Sequence, residues 1–373
     1  MKVLVVFGTR PEAIKMAPVV RALAQAGGIE ARICVTAQHR SMLDEALRVF
    51  DLNPDYDLDL MRPGQSLSGI ASAVIGGIDP VLEEFRPAWV LVQGDTTTTM
   101  ATSLAAFHRR IKVGHVEAGL RTGDLMNPYP EEANRRITSV VTARHYCPTE
   151  RSRQQLLNEG YDDATIRVTG NTVIDALQIS SARIDEDADF QAAMARRYSW
   201  IDRGKRLILV TGHRRESFGE GILQICKALA ILSERDDVQV LYPVHLNPNV
   251  REPVFELLGN RPSVKLIEPL DYLSFIWMMK RCSFILTDSG GVQEEAPTLG
   301  KPVLVMRETT ERPEGIDAGT SRLVGTGAER IVAEAGSLLD DRNQYERMSR
   351  TKNPFGDGTA SKQIVRDLIN GGI

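Results

Sequence analysis

Short β-forming runs recur along this chain, each followed by turn residues and then by a stretch with helical spacing, and this alternation limits the fold more than any other feature. It is the pattern of βα units wound into parallel sheets. The first half carries KVLVVFG, ARICVTA, AWVLVQGD, KVGHVEAG and then RHYCPT or IRVTGN; the second carries RLILVTGH, VQVLYPVH, VKLIEP, SFILTDS and PVLVMR. Each set suffices for one doubly wound sheet, so two Rossmann-like halves are expected. With 373 residues and 42% hydrophobic content, the chain can fill two such cores. Between the halves, RIDEDADFQAAMARRYSWIDRGKR is highly charged and poor in β-formers, and reads as a solvated helix and loop near a domain border.

Composition excludes several classes of function. The net charge is −4 and basic residues are scattered, so no nucleic-acid footprint is present and no nucleic-acid partner is expected. The apolar run VLVVF breaks off at GTRPE, too short for a signal-peptide core, and no run reaches the roughly 18 apolar residues of a spanning helix. A cytoplasmic protein without a membrane partner is expected. Cys34, Cys147, Cys226 and Cys282 form no CxxC pair, and the six histidines form no HExxH-type pair, so neither a disulfide framework nor a metal is expected.

In doubly wound sheets ligands bind beyond the carboxyl ends of the strands. Those ends are unusually polar here: GTRPEAIK, GDTTTT, EAGLRTGD, GHRRESFGEG, HLNPN and SGGVQEE. Loops of this kind from both halves suggest one cleft between two domains. No GxGxxG follows the first strand and no GxxxxGK[ST] occurs, which disfavours a dehydrogenase and a P-loop NTPase.

The loops suggest particular chemistry. Pro11 suits a first helical turn, and Arg10 and Lys15 sit where cations hold an anion at a helix start, although both also fit ordinary surface charge. The threonines of GDTTTT read mostly as helix caps. Asp95, Glu117, Glu131 and Glu132 lie at the presumed cleft mouth, either as acid–base groups with shifted pKa values or as solvated and salt-bridged carboxylates. His213, followed by Arg214 and Arg215, is either structural or set against an anion. In TDSGGVQEEAP, backbone N–H groups of Ser289, Gly290 and Gly291 at a helix start can hold a diphosphate, and a carboxylate about a turn further on can accept from both hydroxyls of a ribose. The pattern suggests a nucleoside diphosphate.

At these residues the chain closely resembles the non-hydrolysing UDP-N-acetylglucosamine 2-epimerases. The resemblance runs in family order through FGTRPEAIKMAP, AQHR, GDTTTT, GHVEAGLRTGD, PYPEEANRR, GNTVIDAL, GHRRESFG, YPVHLNPNVREP, TDSGGVQEEAPTLGKPVLVMRETTERPEG and GDGTASKQI. It implies an α/β fold of two Rossmann-like domains in a glycosyltransferase-B-like arrangement, with the active site in the interdomain cleft. The C-terminal helix in NPFGDGTASKQIVRDLI would return to the first domain, placing the domains at 1–170 with 355–373, and at 171–354. The implied reaction is reversible conversion of UDP-GlcNAc to UDP-ManNAc by anti elimination of UDP to 2-acetamidoglucal and re-addition, without a cofactor, in a homodimer that serves surface polysaccharide synthesis.

Matched residue by residue, the resemblance implies catalytic roles for Asp95, Glu117, Glu131 and His213. It implies diphosphate contacts for Arg10, Lys15, Ser289, Gly290 and Gly291, a ribose contact for Glu295 and a further UDP-side contact for Arg312. Phe275 and the backbone near Leu270 match the uracil pocket, and Glu294 has no assigned role. Some members bind a second UDP-GlcNAc as activator, and Gln38, Glu131, Arg214 and His245 match that site. Departures are Gly64 where members carry Arg, Ser41 in place of an amide, and Gln93 where many have His, the last expected to alter the hydrogen bonding of Asp95. A hydrolysing epimerase, a glycosyltransferase of the same fold and a silent nucleotide-sugar sensor are the competing readings. They are disfavoured respectively by the motifs, by the lack of an obvious acceptor patch and by the intact acid–base groups.

Overall fold

A computed structural model describes residues 1–37, 40–62 and 64–371, with the backbone alone for Arg40 and Ser41. The chain divides into two compact units, Met1–Ala176 with Phe355–Ile373, and Leu177–Pro354. The division falls within the helix Thr172–Glu186, and the charged stretch at 183–206 lies inside the second unit, where it forms the helix Ala188–Arg197 and the approach to the next strand.

The first unit holds strands β1 (Lys2–Phe7), β2 (Glu30–Val35), β3 (Tyr56–Asp57), β4 (Trp89–Gln93), β5 (Lys112–Val116), β6 (Arg144–Cys147) and β7 (Ile166–Val168), ordered β3-β2-β1-β4-β5-β6-β7 and parallel throughout. Both alternatives for the last sequence-predicted strand, RHYCPT and IRVTGN, are therefore strands. The second unit holds β8 (Arg206–Thr211), β9 (Val238–Pro243), β10 (Val264–Ile267), β11 (Phe284–Thr287), β12 (Val303–Val305) and β13 (Ser321–Leu323), ordered β10-β9-β8-β11-β12-β13, also parallel.

Strand alternation explains the apolar runs. Along β8, Ile208 and Val210 pack into one helical layer while Leu207 and Leu209 pack into the other. A strand covered on both faces must be apolar at successive positions. In each sheet the strand order reverses beside the first strand, which puts switch points between β1 and β4 and between β8 and β11. Loops that diverge to opposite faces leave a crevice there.

Closing the first unit, the helix Ala360–Ile369 is tied to the sheet by Asp367, which pairs with Arg144 at 2.8 Å and Arg167 at 3.2 Å. At its start the buried Asp175 carboxylate accepts from Ala360 N–H at 3.2 Å and Ser361 N–H at 2.8 Å. No helix among the described residues is long and apolar enough to cross a membrane.

Candidate active site

The first switch point is organised around Glu12. Thr9 caps the helix Arg10–Gln25 in a reciprocal capping box with Glu12, with Pro11 in the first turn. Oε2 of Glu12 accepts from Gly8 N–H (3.1 Å) and Thr9 N–H (2.8 Å), and Oε1 accepts from the hydroxyls of Thr96 (2.7 Å) and Thr99 (3.2 Å). One buried carboxylate thus joins the loop after β1 to the loop after β4. Burial pushes the Glu12 carboxyl up, against the hydrogen bonds from Thr96, Thr9 and Gly8 that pull it down. Gly8 has to be glycine because a Cβ there would lie 2.2 Å from Thr36 Oγ1. Of the threonines, Thr96 is the cap of the helix Thr97–His108, Thr98 meets Thr36 at 3.0 Å, and Thr99 also donates to the Gln93 carbonyl at 2.6 Å.

The four sequence-predicted carboxylates stand in four situations. Glu117, just past β5 with φ of 63°, accepts on Oε2 from Lys15 Nζ at 2.5 Å and from the Gln93 amide. Asp95 accepts on Oδ2 from Arg135 Nε at 3.0 Å and Nη2 at 2.8 Å, a forked contact. Glu131 opens the helix Glu131–Val141, and its buried Oε2 has no hydrogen-bond partner among the described residues.

Glu132, grouped with these by sequence, serves the framework instead. It is fully buried and accepts from Thr122 N–H (3.1 Å), Arg135 Nη1 (2.9 Å) and Arg136 Nε (3.1 Å). Burial alone would raise its carboxyl, but Thr122, Arg135 and Arg136 hold it below the usual range. Gln93 also differs from expectation, because its amide reaches Glu117 rather than Asp95. The register explains this: Gln93 pairs with Val116, the neighbour of Glu117, across β4 and β5. Arg10 begins its helix half-buried.

The second switch point is built from backbone N–H groups and guanidiniums. After β11, Ser289 precedes the helix Gly290–Glu295. A Cβ on Gly290 would stand 3.7 Å from Arg312 Cζ and 4.0 Å from Arg214 Nη2, so this helix start lies between two cations. Arg312 is aimed by Glu294, whose buried Oε1 accepts from its Nε. That supplies the role sequence left blank for Glu294. The Arg214 Nε is buried and has no hydrogen-bond partner among the described residues. Glu295 is buried and its Oε2 would lie 3.7 Å from a Cβ on Gly291, closer to the helix start than four residues of helical rise suggest. Helical side chains lean toward the N-terminus, which brings the carboxylate back.

His213 is placed by Asp288, a residue sequence reasoning passed over. Its Oδ2 accepts from the backbone N–H of His213 (2.7 Å) and Arg214 (2.8 Å), and its Oδ1 lies 3.2 Å from His213 Nδ1. Burial favours the neutral acid, but the hydrogen bond and charge of His213 with those N–H groups hold Asp288 below the usual carboxylate range. His213 stacks on His245 with ring centroids 5.6 Å apart, and burial together with His213 lowers the His245 pKa. Leu270 and Phe275 pack half-buried against one core cluster of the second unit. Gln38 lies outside the described residues, as does the Ser41 side chain, while Gly64 occupies a left-handed turn position at φ 74°.

Both switch points therefore carry charged groups on the loops from which ligand binding was expected, and comparison with known proteins agrees. Residues 21–369 match the family model described as UDP-N-acetylglucosamine 2-epimerase. The chain is 59% identical over 374 residues to the UDP-N-acetylglucosamine 2-epimerase of Escherichia coli K12, covering 100% of both chains. Among solved structures it is similar to the UDP-GlcNAc 2-epimerase of Neisseria meningitidis bound to UDP-GlcNAc, with a TM-score of 0.93, 49% identity and full coverage of both chains. It is similar also to the Methanocaldococcus jannaschii UDP-GlcNAc 2-epimerase in complex with UDP-GlcNAc and UDP, with a TM-score of 0.83, 34% identity and full coverage of both chains. The α/β class of two Rossmann-like units of glycosyltransferase-B type is thus the class observed. The chain belongs to the UDP-N-acetylglucosamine 2-epimerase family and is an isomerase of that class.

Proposed function

We propose that this chain interconverts UDP-GlcNAc and UDP-ManNAc without hydrolysis, by anti elimination of UDP to 2-acetamidoglucal and re-addition on the protonated sugar. The observation that carries this reading is the division of charge between the switch points. Asp95 and Glu117 are each held by a cation at one, and Arg312 and Arg214 flank Gly290 at the other. In this reading the domains are 1–170 with 355–373, and 171–354, and each contributes groups to the reaction.

The C2 hydrogen is not acidified by a carbonyl, so loss of the C1–O bond must lead. The N–H groups of Ser289, Gly290 and Gly291, with Arg312, Arg10 and Lys15, neutralise the departing diphosphate as the C1–O electron pair leaves with it. Glu295 takes the ribose hydroxyls, and Leu270 and Phe275 the uracil. The C2 proton passes to a carboxylate held close, and its bonding pair becomes the C1=C2 double bond. Lys15 and Gln93 suit Glu117 to this by favouring its charged form. Return to product needs a proton delivered to the other face of C2 and attack of UDP on C1. Asp95 and Glu131 complete the carboxylate set, and His213, fixed by Asp288, acts on the diphosphate side.

A second UDP-GlcNAc as activator, at Gln38, Glu131, Arg214 and His245, belongs to the same proposal, with the stacked His213 and His245 rings linking activator to reaction. So do a cytoplasmic homodimer and the supply of ManNAc-type sugars for surface polysaccharide. Proton NMR of UDP-GlcNAc incubated with the protein in D2O tests the chemistry. UDP-ManNAc carrying deuterium at C2, without free ManNAc, is expected. Free ManNAc with UDP would replace this reading by the hydrolysing one, and an unchanged spectrum would overturn both.

A further inference from the structure

Gln93 closes β4 with its side chain buried, one pleat away from the reacting loops. Its amide donates to the same Glu117 oxygen that accepts from Lys15 at 2.5 Å. Its backbone carbonyl is pinned by the Thr99 hydroxyl at 2.6 Å, and Thr99 in turn reaches Glu12 at 3.2 Å. The end of β4 that carries this donor is therefore tied to the network that joins the two loops.

Glu117 needs such a fixture. It leaves the sheet at φ of 63°, a left-handed conformation that a non-glycine residue keeps only when its surroundings over-determine it. Two donors from different elements, converging on one carboxylate oxygen, set both the rotation of the side chain and its charged form. The donors differ in kind. Lys15 is a cation and belongs to the diphosphate-binding set, so its interactions change when an anion arrives. Gln93 is neutral and does not titrate, and its donation persists through the catalytic cycle. Among the described residues, the titratable groups that act on Glu117 include Lys15, from the first helix, and His115, from its own strand.

We infer that Gln93 is a positioning residue, holding the Glu117 carboxylate in the orientation and charge state in which it takes the C2 proton. The inference rests on the proposed role of Glu117. It is tested by steady-state kinetics across pH with Gln93→Met, which keeps volume and removes the donor, and Gln93→Glu, which keeps the shape and replaces the donor with an acid. Losing one hydrogen bond to a charged group predicts a fall in kcat of about tenfold for Gln93→Met. KM stays within about twofold. Removing a donor to the ionised form raises the Glu117 pKa, so the acid limb of the kcat profile moves to higher pH. Gln93→Glu moves it further, because two carboxylates then share Lys15.

Thermal unfolding verifies that each variant is folded. Wild-type kcat and acid limb in both folded variants would overturn the inference, as would a fall in kcat with an unmoved acid limb, the signature of a purely structural side chain. Should Gln93→Met fail to fold, the acid limb of Gln93→Glu decides alone. Glu117→Gln separates the two levels: wild-type turnover there removes the base role and this inference with it, whereas loss of turnover there beside normal Gln93 variants removes this inference only.

Discussion

At the first switch point cations pair with the carboxylates proposed to act on the sugar, whereas at the second Glu294 and Asp288 hold groups proposed to meet the diphosphate. Lys15 meets Glu117 and Arg135 meets Asp95 directly, with Glu12 buried beneath them as a hub. Around Gly290, by contrast, Glu294 accepts from Arg312 Nε and Asp288 accepts from the His213 and Arg214 N–H groups. In the proposed reading, the same βα geometry places the proton-moving carboxylates in one unit and most of the diphosphate contacts in the other. The difference teaches that the strand order fixes where a site forms, and the pairing of its charges fixes what the site does.

Variants on the two sides should therefore separate kcat from KM. The largest effect is expected for Glu117→Gln, which cannot accept a proton. Its kcat should fall by roughly 10²–10⁴-fold with a smaller change in KM, measured by steady-state assay of either nucleotide sugar. Arg312→Ala should do the reverse, raising KM by about 10- to 100-fold through loss of a charge-assisted contact to diphosphate. A dominant kcat effect in Arg312→Ala would break the comparison.

Acid should also distinguish the units. His115 and His145 are opposite one another on β5 and β6, and burial lowers them to about 4 and about 3. His115 donates from Nε2 to the Gly94 carbonyl at 2.7 Å, which fixes its neutral tautomer. Unfolding frees both to titrate near 6.5, so the unfolded chain binds more protons below that pH. The stability they contribute is complete above about pH 6.5 and falls as pH drops toward 4, by about 1.4 kcal/mol per pH unit for each histidine. Urea unfolding followed at pH 7, 6 and 5 measures this slope, and His145→Gln should flatten it. The smallest effect is expected for Glu294→Gln, which keeps an acceptor for Arg312 and should raise KM by about two- to fivefold.

Legibility in the sequence followed physical range. The long apolar strands were readable because burial on both faces leaves a run, but β3 and β13, only Tyr56–Asp57 and Ser321–Leu323, are too short and polar to carry any period. The charged stretch at 183–206 resembles a border in composition, yet its helix Ala188–Arg197 buries Met194 in the second unit, since a solvated face and a linker share the same residues.

Of the site, the residues on strand-end loops were visible, whereas their partners were not. Arg135 lies 40 residues from Asp95, and Asp288 lies 75 residues from His213; nothing in spacing links such pairs. Glu12 is the exception that local sequence could have given, because Thr-Arg-Pro-Glu is a capping box before an apolar helix. Gln93 was noticed for its identity but matched to the wrong carboxylate, since register across β4 and β5 sets its partner.

The central proposal, that the carboxylates of the first switch point move protons while the Gly290 helix start of the second leads in holding the diphosphate, with Arg10 and Lys15 joining it, is met most directly by calorimetric titration of UDP into Asp95→Asn. Asp95 pairs with Arg135 rather than with any residue proposed to hold UDP. The account predicts a UDP affinity within about threefold of wild type in a protein whose turnover has fallen by at least about a hundredfold. A loss of UDP affinity as large as the loss of turnover would contradict it.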